Sequence, residues 1–455
     1  IPADTIMDGM QWGWQTYGDY LKVLGARELG VNVGGLVGHA ALRYYVMGER
    51  SLDEAPATAE DRAEMAALVG EAVDAGALGF STSRTYMHTL TDGRPIPGTF
   101  AAAEELAAIA DALAQRGRGT FQVVPRIGER DGAQRQNSRA EMEWMERVSR
   151  NSGRPLTFSI MQSDRRPGLW AWVMEQTAAA RGRGADLRPM TAVRGSAIVY
   201  GIASRTPWDA LDSWAEVMAL PPGERLAQVV RPQVRERLVA DATKPSELKG
   251  PLAPKDPSKM YLLPPGSASY DVSQGNSLEA EAQRRGVSPA AALLDYFVET
   301  DGKGLLYYPV LNQDLDAVAH MITNPDVVLG VADAGAHVAL TMDAGNTTYF
   351  LRHWVRDQGL LGIGPAVRRL TVDAASLWGI ADRGVLAPGA YADVNVIDLA
   401  NLDLFTPEMA ADFPLGAQRF TQRARGYDYT LVNGQVLVDH DELTGAVAGR
   451  LVESR

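Results

Sequence analysis

Short apolar runs alternate with amphipathic segments over much of this chain. Segments 59–75, 103–115 and 141–151 place apolar residues at helical spacing. Between them lie six runs rich in β-branched and small residues, which we predict to be strands: 31–38, 77–81, 120–124, 156–161, 187–192 and 327–332. This alternation is typical of a parallel sheet covered by helices. We predict an α/β fold with a TIM-type (β/α)8 barrel that is incomplete in this chain, because six strands are two short of closure.

A long interruption separates the fifth and sixth predicted strands. It contains a proline-rich, weakly periodic stretch at 244–266, which predicts a surface loop or lid. A further apolar run at 305–311 predicts an extra strand beside the barrel, and residues 314–323 predict a helix leading into the last barrel strand.

The pattern changes again near residue 384, where short alternating runs replace the long ones. Segments 392–397 and 430–438 predict strands, and the pair Asn433-Gly434 inside the second predicts a hairpin turn. We therefore predict a barrel domain over 1–383 and the C-terminal part of a small β-sandwich domain over 384–455.

Composition excludes several classes of function. The 455 residues are 46% apolar and bury a large core, while the net charge of −12, without a basic run, argues against nucleic-acid binding. No apolar stretch approaches the roughly 20 residues of a membrane span, and the first residues lack the features of a signal peptide. We predict a cytoplasmic protein with no membrane partner. Because the chain has no cysteine, any metal has to be held by His and carboxylates.

The apolar run at 327–332 ends in Asp333, which is followed by small residues and His337. The carboxyl ends of barrel strands are where active sites are assembled, so Asp333 at such an end is interpreted as a metal ligand or a general base. The alternative is an aspartate that caps the next helix. His337 lies within reach of the metal or the substrate, with capping of the following segment as its alternative.

Other polar side chains follow earlier predicted strands. His39 contacts the substrate at the barrel mouth or is a structural histidine. Arg84 and Tyr86, which suit a carboxylate and a developing oxyanion, bind the substrate or are solvated loop residues. Arg126 is a candidate anion contact. The turning points at Val124 and Met161 carry no His, Asp or Glu, which limits the number of metal ions.

The motifs around these residues resemble those of the amidohydrolase superfamily and, within it, the N-acyl-D-amino-acid deacylases (D-aminoacylases). The matching stretches occur in the family's order: LVGHAALR at 36–43, GALGFST at 76–82, GVADAGAH at 330–337 and GVLAPG at 384–389. The resemblance implies a barrel enzyme in which a metal-activated water attacks an amide carbonyl. It also implies that Asp333 contacts the metal and moves the proton from the water to the leaving amine.

The chain departs from the family pattern at its metal ligands. The family's His-x-His strand and the following cysteine strand are missing, so the chain resembles a member that lacks its N-terminal segment. The resemblance implies that Val124 and either Ile160 or Met161 stand where deacylases place metal-binding histidines. We expect one zinc ion, held by Asp333 and by ligands from the missing segment. That segment or a partner chain is expected to complete the barrel, and a homo-oligomer is possible.

The function predicted from these features is metal-dependent hydrolysis of an amide bond in a small carboxylated substrate, foremost the deacylation of N-acyl-D-amino acids. One alternative is hydrolysis of a cyclic amide, imide or carbamate on the same barrel. The alternative from another class is a non-catalytic barrel that acts as a subunit or scaffold.

Overall fold

The computed structural model describes residues 2–10, 12–244 and 255–454. Its α-helices are α1 (Ala3–Gly9), α2 (Tyr17–Gly25), α3 (His39–Met47), α4 (Ala59–Asp74), α5 (Ala103–Arg116), α6 (Gln136–Ser152), α7 (Leu169–Gly182), α8 (Asp212–Met218), α9 (Pro222–Val229), α10 (Pro232–Thr243), α11 (Leu278–Arg285), α12 (Pro289–Glu299), α13 (Leu315–Thr323), α14 (Asn346–Tyr349), α15 (Ile363–Leu370) and α16 (Val372–Leu377). A π-helix, Phe350–Asp357, continues α14. No helix in these ranges is long and apolar enough to cross a membrane.

The strands are β1 (Val37–Gly38), β2 (Gly79–Ser83), β3 (Thr120–Val124), β4 (Leu156–Ser159), β5 (Leu187–Thr191), β6 (Ser196–Tyr200), β7 (Tyr261–Leu263), β8 (Leu305–Leu311), β9 (Val328–Leu329), β10 (Val394–Ile397), β11 (Asp403–Leu404), β12 (Glu408–Ala410), β13 (Arg419–Thr421), β14 (Ala424–Arg425), β15 (Tyr427–Val432), β16 (Gln435–Asp439) and β17 (Glu442–Leu443).

Six strands form one parallel sheet in the order β1-β2-β3-β4-β5-β9. These are the six predicted strands, and the predicted bounds of β3 match the structure. Phe121 and Val123 on β3 are buried between the sheet and its helices, as are Phe80 and Phe158 on the neighbouring strands. These four side chains share one face of the sheet, and the burial of that face explains the large apolar residues on these strands.

Two of the six predicted strands are much shorter in the structure. The segment 31–38 is extended only at β1, and its Val33 instead forms a bridge with Leu451 near the end of the chain. The segment 327–332 is a strand only at β9, because Val331 has a φ of +56° and leaves the β region. A β-branched residue in that region is unusual, so apolar content alone overestimated this strand.

The interruption between β5 and β9 is a folded unit. Strands β6, β8 and β7 form an antiparallel sheet, and helices α8 to α12 pack around a separate core that includes Trp214, Leu293 and Phe297. The predicted extra strand at 305–311 is confirmed as β8. The surface-loop prediction for 244–266 is wrong at β7, which pairs with β8, while residues 245–254 lie outside the described residues.

The C-terminal region is built of short antiparallel strands, the largest sheet having the order β10-β15-β16-β17. Asn433 and Gly434 both have positive φ, at +49° and +83°, and connect β15 to β16. This is the backbone of a type I′ turn, so the predicted hairpin is confirmed. The boundary at residue 384 stays a prediction.

Candidate functional site

The carboxyl end of the parallel sheet brings Asp333 to the surface. Asp333 follows β9 by four residues, is exposed, and has a φ of +46°. Positive φ at two non-glycine residues so close together costs free energy, and such strain concentrates at functional sites. The next helix begins only at Asn346, so the alternative in which Asp333 caps the next helix is wrong. Both alternatives for His337 stay predictions.

Two groups of the loop after β9, Asp333 and His337, act electrostatically on His88. His337 is exposed on the same loop, and His88 comes from the loop that follows β2. Burial and the nearby His337 lower the pKa of His88, whereas the charges of Asp333 and Glu129 act in the opposite direction. His88 Nδ1 lies 2.6 Å from Ser83 Oγ, which ties the imidazole to the end of β2. Four ionisable groups from three loops thus converge at this edge.

The sequence reasoning did not identify His88 or Glu129 as site residues. One signal was available, because His88 follows the end of β2 by five residues. Glu129 joins two loops: its Oε2 accepts a hydrogen bond from the Tyr86 backbone N at 2.9 Å, and its other oxygen accepts one from the Thr85 hydroxyl. The loops after β2 and β3 are therefore held together beside His88.

The predicted substrate residue His39 is an interior residue, only 2% exposed. Its Nδ1 lies 2.8 Å from Thr82 Oγ1, and its Nε2 lies 2.8 Å from Glu105 Oε1. Burial lowers the pKa of His39, although the hydrogen bond and the charge of Glu105 raise it. With both ring nitrogens engaged inside the protein, this geometry favours the structural alternative over substrate contact.

Arg84 and Arg126 share one carboxylate. Arg84 Nε donates to both oxygens of Glu141 at 3.1 Å, and Arg126 donates to Oε1 from Nε at 3.3 Å and from Nη2 at 3.2 Å. Arg84 is buried, whereas the Arg126 side chain is 22% exposed. The two guanidinium groups and the Glu141 carboxylate together carry a net charge of +1. Of these three side chains, Arg126 is the one that faces solvent.

Tyr86 is half-buried beside this group. Its ring lies 5.4 Å from that of Phe100, and the Arg130 guanidinium lies 3.8 Å above its centroid. The guanidinium of Arg126 lies 5.6 Å from the Phe100 centroid. Cation–π contacts of this kind hold guanidinium groups over aromatic faces. The loops after β2 and β3 thus present an aromatic and basic surface near the end of the sheet.

A profile of the amidohydrolase family matches residues 2–187 and 282–438. The chain belongs to the amidohydrolase family. This amidohydrolase is accordingly a hydrolase of carbon–nitrogen bonds other than peptide bonds. The two matched ranges flank part of the inserted unit between β5 and β9 and include the strands that carry Arg84, Arg126 and Asp333.

Individual relatives agree with this assignment. The amidohydrolase is 26% identical over 452 residues to a D-aminoacylase of Alcaligenes xylosoxydans xylosoxydans, an alignment that covers 99% of this chain and 76% of that protein. It is 24% identical over 445 residues to an N-acyl-D-aspartate deacylase of the same organism, covering 98% and 73%. An uncharacterised protein of Mycobacterium tuberculosis is 28% identical over 449 residues, covering 89% and 67%.

Solved structures confirm the predicted fold class. The crystal structure of a D-aminoacylase superposes with a TM-score of 0.61 at 22% identity, over 100% of this chain and 79% of that one. An N-acyl-D-glutamate deacylase from Bordetella bronchiseptica, complexed with zinc and a phosphonate mimic of the tetrahedral intermediate, superposes with a TM-score of 0.56 at 22% identity, over 98% and 77%. The parallel sheet is thus part of an amidohydrolase barrel.

Proposed function

We propose that this amidohydrolase removes the acyl group from small N-acyl-D-amino acids, with Asp333 as its general base. The observation that carries the proposal is the exposed carboxylate of Asp333 at the carboxyl end of the sheet, on the same loop as His337 and within electrostatic range of His88. The names of the relatives, which include D-aminoacylase and two N-acyl-D-amino-acid deacylases, support this substrate class.

The proposed reaction is hydrolysis of the amide bond. Water adds to the amide carbonyl while Asp333 accepts a proton from it, and Asp333 then gives that proton to the leaving nitrogen as the carbon–nitrogen bond breaks. The products are a carboxylate and a free amino acid. His337, on the same loop, is proposed to contact the substrate.

The substrate carboxylate is proposed to bind at Arg126, with Tyr86 beside it. Arg126 is held by Glu141 yet keeps part of its guanidinium open to solvent, and the excess positive charge of the Arg84–Glu141–Arg126 group attracts an anion. Arg84 acts here through Glu141 because its own side chain is buried.

The described residues of this chain do not by themselves form a metal site. Within residues 2–10, 12–244 and 255–454, no group of three or more His, Cys, Asp or Glu side chains is arranged to hold a metal ion. No step of the proposed reaction is therefore derived through a metal. One zinc ion, bound by Asp333 and by ligands from an N-terminal segment or partner chain, stays a prediction, as do a homo-oligomer and the cytoplasmic location.

Metal sites in related structures bear on the zinc prediction. One neighbouring structure concerns the binuclear metal centre of a D-aminoacylase, and the deacylase from Bordetella bronchiseptica was complexed with zinc. Elemental analysis of the purified protein before and after dialysis against a chelator tests the prediction. About one zinc per chain supports it, and none in a catalytically active sample contradicts it.

Replacement of Asp333 tests the general-base proposal. We expect Asp333→Asn to lower turnover of N-acetyl-D-amino acids by about 100-fold or more, the usual contribution of a positioned general base. The fold should be unchanged because Asp333 is exposed. Asp326→Asn is the matched control, since Asp326 precedes the same strand at its other end and pairs with Arg181 at 3.0 Å.

The assay detects free amine from D- and L-forms of the same N-acetyl-amino acids and, in parallel, ring opening of cyclic amides. Turnover of D-forms that is lost in Asp333→Asn and kept in Asp326→Asn supports the proposal. Turnover of cyclic amides alone favours the alternative substrate class. An unchanged rate in Asp333→Asn refutes the assignment of the base, and absence of turnover in the wild type with every substrate favours a non-catalytic barrel.

A further inference from the structure

Arg194 is a buried arginine at the carboxyl end of the strand next to β9. It follows β5 by three residues, and β5 pairs with β9 through Met190–Val328 and Thr191–Leu329. Only 1% of Arg194 is exposed. A charge this deeply buried is stable only with close partners, so its contacts indicate what the residue holds.

The guanidinium of Arg194 binds the far end of the loop that carries Asp333. Its Nη2 donates to the backbone oxygen of Met342 at 2.6 Å and lies 2.9 Å from Asp343 Oδ1. Its Nη1 donates to the Tyr307 hydroxyl at 3.2 Å. One side chain after β5 thus joins the loop after β9 to strand β8 of the inserted unit.

Arg194 is itself fixed in place by aromatic rings. Its guanidinium lies 3.9 Å from the centroid of Tyr270, 5.5 Å from that of Tyr307 and 5.9 Å from that of Tyr349. The backbone on either side is also held, because Trp354 Nε1 donates to the oxygen of Val193 at 2.7 Å and the Tyr307 hydroxyl donates to that of Gly195. A planar guanidinium in such a setting has little freedom to turn.

The loop between β9 and Asp343 requires such an anchor. Val331 and Asp333 both have positive φ, a strained backbone that persists only when its surroundings hold it. Two backbone hydrogen bonds fix the middle of the loop. Phe420 N donates to the Val338 oxygen at 2.7 Å, and Val199 N donates to the Leu340 oxygen at 2.9 Å. Arg194 supplies the side-chain anchor at the end of the loop.

Asp343 is also linked electrostatically to Asp333. Burial raises the pKa of Asp343 to about 6; the positive charge of Arg194 opposes this rise, and the negative charge of Asp333 adds to it. Asp333 and Asp343 are therefore near enough to sense each other.

We infer that Arg194 is a positioning residue for Asp333: through Met342 and Asp343 it fixes the loop that presents the general base to the substrate. The effect on turnover rests on the proposed function, whereas the effect on the loop does not. Arg194 touches neither the substrate nor the reacting atoms in this account. Loss of its forked geometry displaces the base, and small displacements of a catalytic group lower turnover by up to about 100-fold.

The test compares Arg194→Lys with Arg369→Lys in the full chain. Arg369 is also buried, and its Nη2 donates to the oxygens of Ile322, Asn324 and Val327 at the opposite end of β9. Both variants keep the positive charge but replace the planar guanidinium group, and both positions contact residues next to β9. Amide hydrogen exchange in residues 331–345 reports on the loop, while kcat and KM report on the base.

We expect Arg194→Lys to speed exchange in residues 331–345 and to lower kcat by about 10- to 100-fold, with KM changed by less than about threefold. Arg369→Lys should leave kcat and the exchange in residues 331–345 unchanged, even if the variant is less stable than the wild type. Asp343→Asn should speed the same exchange, because it removes the other half of the ion pair. Unchanged exchange in Arg194→Lys overturns the inference, as does faster exchange with unchanged kcat in an active enzyme. If the wild type shows no turnover, the proposed function fails and the exchange data alone decide whether Arg194 holds the loop.

Discussion

The sharpest prediction about stability concerns Glu141, the carboxylate between Arg84 and Arg126. It is 1% exposed, and Glu141→Gln preserves its shape while removing its charge. Arg84, itself only 4% exposed, would keep a hydrogen bond from Nη1 to the Ala101 oxygen at 2.8 Å but lose its counter-charge. Breaking a buried ion pair in this way costs about 3–5 kcal/mol, because an uncompensated charge stays buried.

Arg126 contributes less to that loss. Its side chain is 22% exposed, so water recovers part of its solvation when the partner charge disappears. The expected decrease in the free energy of unfolding is therefore about 3–5 kcal/mol in total, set by Arg84. This is a large part of the roughly 5–15 kcal/mol that stabilises a typical domain.

The assay is urea unfolding followed by tryptophan fluorescence and far-UV circular dichroism. Glu146→Gln is the matched control, because Glu146 lies on the same helix, α6, and pairs at 2.7 Å with Arg183, whose side chain is 53% exposed. The Glu146 side chain is 17% exposed, but water around Arg183 solvates its charge when the pair is lost, so the expected cost is nearer the roughly 0–1 kcal/mol of exposed pairs. Equal losses in the two variants would refute the reasoning that burial sets the cost.

Two further predictions concern stability. Burial lowers the pKa of His39 in the folded protein, whereas in the unfolded chain this pKa is about 6.5. As the pH falls below about 6.5, the unfolded chain therefore binds a proton at His39 before the folded protein does. The neutral His39 therefore stabilises the fold fully above about pH 6.5, and this stabilisation is lost as the pH falls below that value. Below about pH 6.5 the melting temperature of His39→Gln should therefore depend less on pH than that of the wild type. Equal slopes of melting temperature against pH in the two proteins would contradict this. Gly79→Ala should prevent β2 from pairing with β3, since φ is +143° and an added Cβ would lie 2.0 Å from the Thr120 oxygen. Gly182→Ala, with no atom within 4 Å, should yield soluble, folded protein, and the same yield for Gly79→Ala would disprove the clash.

The strands of the parallel sheet and several of the helices between them were predictable from the chain. The run at 120–124 became β3 with the predicted bounds, and Asn433-Gly434 became the predicted hairpin turn. Both predictions depend on local preferences, namely the packing of β-branched and aromatic side chains in a covered sheet and the ease with which Asn-Gly adopts positive φ. The strand at 327–332 was overestimated because backbone strain at Val331 leaves no mark in residue type.

The candidate site was predictable only in part. Asp333 was identified because it follows an apolar run, and its position at the sheet end is a local property. His88 and Glu129 were missed, since the loops that bring them toward Asp333 belong to strands far apart in sequence. Arg84 and His39 were expected at the barrel mouth, but Glu141 and Glu105 hold them inside the protein.

The sequence by itself determined the alternation of strands and helices, the family resemblance and the choice of Asp333 as the candidate catalytic residue. These follow from local periodicity and from the order of motifs along one chain. Only the tertiary structure decided which charges face each other, such as Arg194 against Asp343 and Glu141 against two arginines. The reason is physical: a buried charge is stabilised by whatever the fold brings within a few ångströms, and residues 149 positions apart carry no local sign that they will meet.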